Sequence, residues 1–257
     1  MEQNNFPYSH EELNQGLVRK NLDFLRNLEK KALTHPAIDH PFLIKTANNE
    51  YESDVVTFML VQMSKHVRIF TGAICSLMGR APDVRSRFAL FDNLYEELGR
   101  CDLAGAHYIL YLRMLCSIGI DEASLDRTPT MPSMQALNNG IYDAVNGSFV
   151  VGLAWLGLGG ELLIPNNFPY MAKGTEKAFG RDRVDWEFFK RHGTRDQAHN
   201  DDANALLALH MTEEEWTVVE KETMKSLDSR KAVWDELGYW GDKGVASFVR
   251  GCDMRVV

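Results

Sequence analysis

The residues best suited to chemistry lie in the C-terminal half. There His192-Gly-Thr-Arg-Asp196-Gln-Ala-His199 sets two histidines and an aspartate at positions i, i+4 and i+7. On a helix of about 3.6 residues per turn these fall at about 0°, 40° and −20°, so all three side chains share one narrow face. Two imidazole nitrogens and a carboxylate oxygen stacked this way can hold a metal ion. A solvated polar stripe would have the same spelling. Glu161 is a second such residue, following Phe149–Gly160, the most apolar stretch of the chain. An ionised carboxylate there is costly unless a cation or a metal pairs with it; emergence at the helix end, near Pro165 and Asn166, is the alternative. The third group is Glu97, in phase with the apolar Leu90, Leu94 and Leu98, and His107 on the next helix, with Leu103, Leu110 and Tyr111 as helical neighbours. Read singly, His107 is as well explained by a core or interface role.

Together these residues supply three carboxylates and three imidazoles. Two iron ions need about this mixture: carboxylates to bridge them, and histidines to complete a site that leaves positions open for oxygen. The ferritin-like route to such a site uses Glu-x-x-His pairs, and the sequence contains no Glu-x-x-His.

The elements that must position these groups read as helices, because Gly and Pro fall between helical patterns and not between short β-branched runs. The patterning predicts a first helix over Ser9–Leu33, capped by Ser9, then a connection over His35–Lys45 containing Pro36 and Pro41. A second helix is expected over Glu52–Leu77. Pro82 and Asp83 open a third, with Phe88, Leu90, Leu94 and Leu98 turned to the core and a break near Gly99. Asp102 reads as the cap of a fourth helix reaching Cys116, and Ser117–Asp121 as a turn. A long stretch over Ser133–Leu163, weakened by its glycines, is expected to end at Pro165. Further helices are expected over Phe168–Ala178, Val184–Leu207 and Glu213–Leu237. The whole reads as one all-α domain over residues 1–257.

The bulk properties agree with a soluble domain and a small-molecule partner. The chain has 257 residues, 45% hydrophobic and 25% charged, enough for one substantial core. A net charge of −8 disfavours nucleic acid and anionic membranes as partners. Four scattered cysteines without a CxxC pair speak against a disulfide framework and for a cytoplasmic setting. Residues 1–5 show no basic head of a signal peptide. The apolar run Phe149–Ile164 contains Glu161 and is slightly short for a membrane span, so it reads as a buried helix.

Taken in order, Glu97, His107, Glu161 and then His192-x-x-x-Asp196-x-x-His199 resemble the ligand set of the heme-oxygenase-like di-iron oxidases and oxygenases. The surrounding Asn93-Leu-Tyr-Glu-Glu97-Leu-Gly99 and Trp186-Glu-Phe-Phe189 share the likeness, which covers about Glu52–Leu237, the expected metal-binding core. The resemblance implies a seven-helix, heme-oxygenase-like bundle. It implies Glu97, His107, Glu161, His192, Asp196 and His199 as ligands of two Fe(II) ions, with O2 as co-substrate. A further carboxylate that some members add before Glu97 has no counterpart in Ile69-Phe-Thr71-Gly-Ala.

The activity this implies is oxidation of an amino acid or derivative, by N-oxygenation or oxidative carbon–carbon cleavage, in a natural-product pathway. Fatty-acid oxidative decarboxylation is the nearest alternative. Tyr108, Trp155 and Phe189 are the expected pocket residues, and Arg68 and Arg195 the expected holders of a substrate carboxylate. An external electron donor and a homodimer are compatible with this reading. The competing readings are a metal-free thiaminase-like or quinone-forming enzyme, a heme-degrading enzyme using His10, His35 or His40, and a non-enzymatic helical binding protein. None of the three accounts for six metal-ligand types in order.

Overall fold

The computed structural model describes residues 7–13 and 15–248, with the side chains of His10, Leu13 and residues 193–199 outside that description. Twelve α-helical segments follow one another: α1 (His10–Leu13), α2 (Gly16–Leu33), α3 (Pro41–Ala47), α4 (Ser53–Met78), α5 (Val84–Glu97), α6 (His107–Ser117), α7 (Glu122–Arg127), α8 (Pro132–Asn146), α9 (Phe149–Leu156), α10 (Ile164–Phe179), α11 (Glu187–His210) and α12 (Trp216–Lys243). Short 3-10 turns occur at Gly99–Cys101, Leu103–Gly105, Glu161–Leu163 and Glu213–Glu215, and no strand occurs among the described residues.

Local chemistry sets the starts. Ser9 Oγ accepts from Glu12 N–H at 3.2 Å while Ser9 N–H donates to Glu12 Oε2 at 2.8 Å, a reciprocal cap on α1. Asp83 caps α5 by accepting from Ser86 N–H at 2.8 Å, and Asp121 caps α7 from Ser124 N–H at 2.7 Å. Pro41, Pro132 and Pro165 occupy the first turns of α3, α8 and α10, where the missing N–H costs nothing.

That use of proline corrects several expectations. Pro41 starts a helix inside the expected connection, and Pro165 opens α10 instead of ending a long one. The expected Ser133–Leu163 helix is divided at Gly147 and again at Gly157–Gly160. The expected first helix is likewise two, α1 and α2. Asp102 caps only the Leu103–Gly105 turn, accepting from Ala104 N–H at 3.1 Å, so α6 begins later, at His107. Helix α7 occupies a stretch where the sequence pattern predicts no element. On α5, Leu90 and Leu94 are buried, but Phe88 and Leu98 are 51% and 46% exposed. The buried stripe is narrower than the pattern of apolar residues implied.

Helix α4 runs through the centre, packing on α5, α6 and α8, with α10 and α12 also against it. Met59, Leu60, Ile74 and Leu77 are its fully buried contributions. Helix α11 packs on α2, α6, α9 and α10 and on the Glu161–Leu163 turn. The most apolar window of Phe149–Phe179, long and apolar enough to cross a membrane, is 78% buried inside this arrangement.

The Glu161 turn is held from α12. A Cβ on Gly159 would stand 2.4 Å from Ser226 Cβ, so the two backbones meet only because Gly159 has none. Ser226 Oγ and Arg230 Nε–H both donate to the Gly159 carbonyl, at 3.0 and 2.6 Å. Helix α12 therefore clamps the residue two before Glu161.

Candidate metal centre

Glu97 is the last residue of α5 and His107 the first of α6, and the loop between them brings the two together. Gly99, Arg100 and Cys101 all adopt left-handed backbone, with φ of 69°, 57° and 68°. Such a turn costs about 1–2 kcal/mol for each residue that carries a Cβ, so it needs fixing from outside. Arg100 Nε–H donates to both oxygens of Glu96, at 2.8 and 2.9 Å. At Gly99 a Cβ would sit 2.4 Å from the Ala106 nitrogen, so the start of α6 is pressed directly onto the glycine. The off-face Glu96 thus holds the loop, and the in-phase Glu97 faces inward.

The result is a buried cluster. Glu97, His107 and His192 are 6%, 8% and 7% exposed, and each offers one ligand atom within 4.8 Å of the other two. His107 Nδ1 lies 3.0 Å from Glu97 Oε1 yet is not aligned to donate, so the buried nitrogen has no hydrogen-bond acceptor. Buried polar atoms are rarely left so; two lone pairs converging on a shared cation would explain the arrangement. The imidazoles of His107 and His192 stand 4.4 Å apart between centroids.

The tautomer of His192 is set by its own helix. Its Nδ1 is 2.9 Å from the Phe188 carbonyl, which can only accept, so Nδ1 carries the proton and Nε2 keeps its lone pair. A backbone acceptor behind an imidazole is the usual way a metal-binding histidine is oriented. Aromatic rings close the site against water: Phe188 at 4.3 Å and Phe168 at 5.0 Å from the His192 ring, with Tyr111 edge-on to Phe188 at 4.7 Å. Tyr111 is locked by its hydroxyl, which donates to the Leu60 carbonyl at 2.7 Å.

Glu161 is 3% exposed and its turn packs directly on α11. It lines a second small cavity with Asn93, Leu153 and Asp202. Burial, reinforced by the charges of Asp92 and Asp201, pushes the Asp202 carboxyl up to about 7. Asp196 and His199 fall within 193–199, so their side chains lie outside the described residues, as does that of Arg195. The backbone of α11 is continuous through them, which preserves the helical phase on which their pattern depends. The donor set of Glu97, His107 and His192, two nitrogens and an oxygen in a buried cluster, fits iron.

Of the expected substrate residues, Tyr108, Trp155, Phe189 and Arg68 are absent from the lining of the cavity beside the cluster. Trp155 is 1% exposed and donates Nε1–H to Glu222 at 2.9 Å, a core role. Phe189 lines an open surface depression with Trp186 and Lys173. Because α11 starts at Glu187, its neighbour Phe188 is the ring turned to the cluster. Tyr108 is half-buried, with Arg68, Glu122 and Asp126 as its nearest charges. Arg68 is exposed and lies 3.7 Å from Asp126. The cavity that does adjoin the cluster is lined by Glu97 and His192 together with Met63, His66, Phe70 and Arg230. Neither His66 nor Arg230 stands out in the sequence.

Comparison with known proteins supports the fold and its class. A family model described as an iron-containing redox enzyme matches residues 58–230. A CADD-like protein from Nostoc punctiforme superposes with a TM-score of 0.73 at 15% identity, covering 87% of this chain and 99% of its own. A domain with a heme oxygenase-like fold from Shewanella denitrificans gives 0.64 at 16% identity, covering 88% and 93%. A TenA homologue from Pseudomonas syringae gives 0.65 at 14% identity, covering 85% and 91%. At such identities the likeness speaks to fold alone. No curated protein matches the chain in sequence.

Proposed function

The chain belongs to the iron-containing redox enzyme family, with a heme-oxygenase-like fold, and on that premise we propose that it binds two iron ions and activates O2 to oxidise a small substrate, an amino acid or derivative. The observation that carries this is the convergence of Glu97, His107 and His192 in one buried, aromatic-walled cluster. Those three would hold one iron. Glu161, with Asp196 and His199, would help hold a second. Once bound, iron supplies the redox chemistry, with reducing electrons from an external donor.

The protein's own contribution is positional. The Phe188 carbonyl keeps the His192 proton on Nδ1 and aims Nε2 inward. Phe168, Phe188 and Tyr111 exclude water from the ligand side, which strengthens every electrostatic contact there. The adjoining cavity gives the substrate a place beside Glu97 and His192. The alternative of a metal-free thiaminase-like enzyme gives no account of why three buried ligand-type side chains converge here.

Anaerobic titration of the metal-free protein with Fe(II) tests the reading. About two equivalents should bind, with loss of binding in His192→Ala and Glu161→Ala and oxygen uptake on admission of air. Absence of tight Fe(II) binding in the parent protein would overturn it.

A further inference from the structure

Arg230 is a half-buried cation in the wall of the cavity beside the metal cluster. Its side chain reaches from α12 into a space lined by Met63, Val67, Phe70 and Phe168, with Glu97 and His192 in the same wall. Among the described residues two of its N–H groups are engaged, both by neutral acceptors: Nε–H with the Gly159 carbonyl at 2.6 Å and an Nη1–H with His66 Nε2 at 3.3 Å. Glu161 is the opposite charge that acts on it, from beyond ion-pair distance. Burial pulls the guanidinium down to about 10, with Glu161 opposing that shift, so it stays charged at neutral pH.

The partner on its other side is fixed to receive it. An arginine can only donate, so His66 Nε2 accepts and its proton sits on Nδ1, which donates to Asn138 Oδ1 at 3.0 Å. The Asn138 amide in turn donates to the Lys65 carbonyl at 3.1 Å. His66 is therefore a neutral support that orients the guanidinium without offsetting its charge. A half-buried cation that no anion among the described residues contacts directly is costly. The planar fork is the group best matched to a carboxylate.

We propose that Arg230, oriented by His66 and the Gly159 carbonyl, binds the carboxylate of an organic acid whose apolar body lies along Met63, Val67, Phe70 and Phe168 beside the metal cluster. This rests on the proposed function for what happens to that acid, but the binding itself does not need iron. The cavity is small, about 50 Å³, and its size class is that of a small ligand and not a macromolecule. The ring and methionine side chains select an aliphatic or aromatic acid over a polar one.

The test is equilibrium binding by calorimetry, on oxygen-free Fe(II)-loaded protein and metal-free protein side by side. The probes are 3-phenylpropanoate, L-phenylalanine and straight-chain acids from butanoate to decanoate, each against its neutral amide. At least one acid should bind and its amide should bind at least tenfold more weakly. Arg230→Gln should lose on the order of thirtyfold or more of the acid's affinity, with Arg230→Lys between the two. In case Arg230→Gln fails to fold, ¹⁵N-arginine spectra of the unmutated protein carry the same test. One guanidinium signal should move with the acid and not with the amide. The proposal is overturned if no acid binds, if acid and amide bind alike, or if Arg230→Gln binds the acid as well as the parent. Failure of Fe(II) to bind while acids still require Arg230 would sink the iron reading and leave this one standing.

Discussion

Glu97 Oε1 and His107 Nδ1 stand 3.0 Å apart across a helix break, close enough to hydrogen-bond and not aligned to do so. On the proposed reading the two are ligands of one iron ion. Removing His107 should therefore remove metal affinity without disturbing the fold, since no internal hydrogen bond is lost. His107→Ala is expected to weaken Fe(II) binding by on the order of a hundredfold, read by competition with a chromophoric chelator, while its urea midpoint without iron stays near that of the parent. Unchanged iron affinity would remove His107 from the site.

The approach of these two residues depends on Gly99. Its left-handed φ of 69° is strained for any other L-residue, and an added Cβ would meet the Ala106 nitrogen at 2.4 Å, a backbone atom that cannot swing away. Gly99→Ala is expected to cost about 2–4 kcal/mol of stability and to lower iron affinity as well, because the loop must open and carry His107 from Glu97. Denaturation with and without Fe(II) reads both effects. A destabilised variant with full iron affinity would show that the cluster does not depend on this loop.

Much of this site is legible in the sequence because its chemistry forces a local signal. Glu97 sits in phase with Leu90 and Leu94, and Asp83 announces the start of their helix. Glu161 is marked by the apolar run it follows. What could not be read there depends on contacts between distant segments. Arg230 lies in Asp228-Ser-Arg-Lys231, whose spelling is that of a solvated helix face. Only the close approach of α12 to Gly159 turns it inward. Phe188 and Phe189 are equivalent as letters, and the start of α11 decides which ring faces the cluster. Pro165 reads as a stop, yet it starts α10, because a proline is equally at home in a first turn.

His66 makes acid sensitivity testable. Burial, with the Arg230 charge adding to it, brings its pKa down to about 3 from an ordinary 6.5. Between those values the unfolded chain binds a proton that the folded one does not, so stability falls as pH drops through that window and is unaffected by this group above it. By pH 4.5 the loss from His66 alone is roughly 2–3 kcal/mol. In the metal-free protein, His66→Gln should lower stability less steeply between pH 7.5 and 4.5 than the parent by about that amount, in urea midpoints. Parallel pH profiles would mean that His66 is not held neutral.

Trp155 separates packing from chemistry. Its ring lies where a side chain on Gly140 would otherwise be, 2.5 Å from that position, and its Nε1–H satisfies the largely buried Glu222. It is absent from the lining of the cavity beside Glu97 and His192. Trp155→Phe opens a void and leaves Glu222 without that donor, which together should cost about 2–4 kcal/mol. Iron affinity and the binding of 3-phenylpropanoate should both stay within twofold of the parent. A stable Trp155→Phe protein with weakened acid binding would instead place the indole in contact with substrate. The apolar wall of the pocket would then extend beyond Phe70 and Phe168 toward α9.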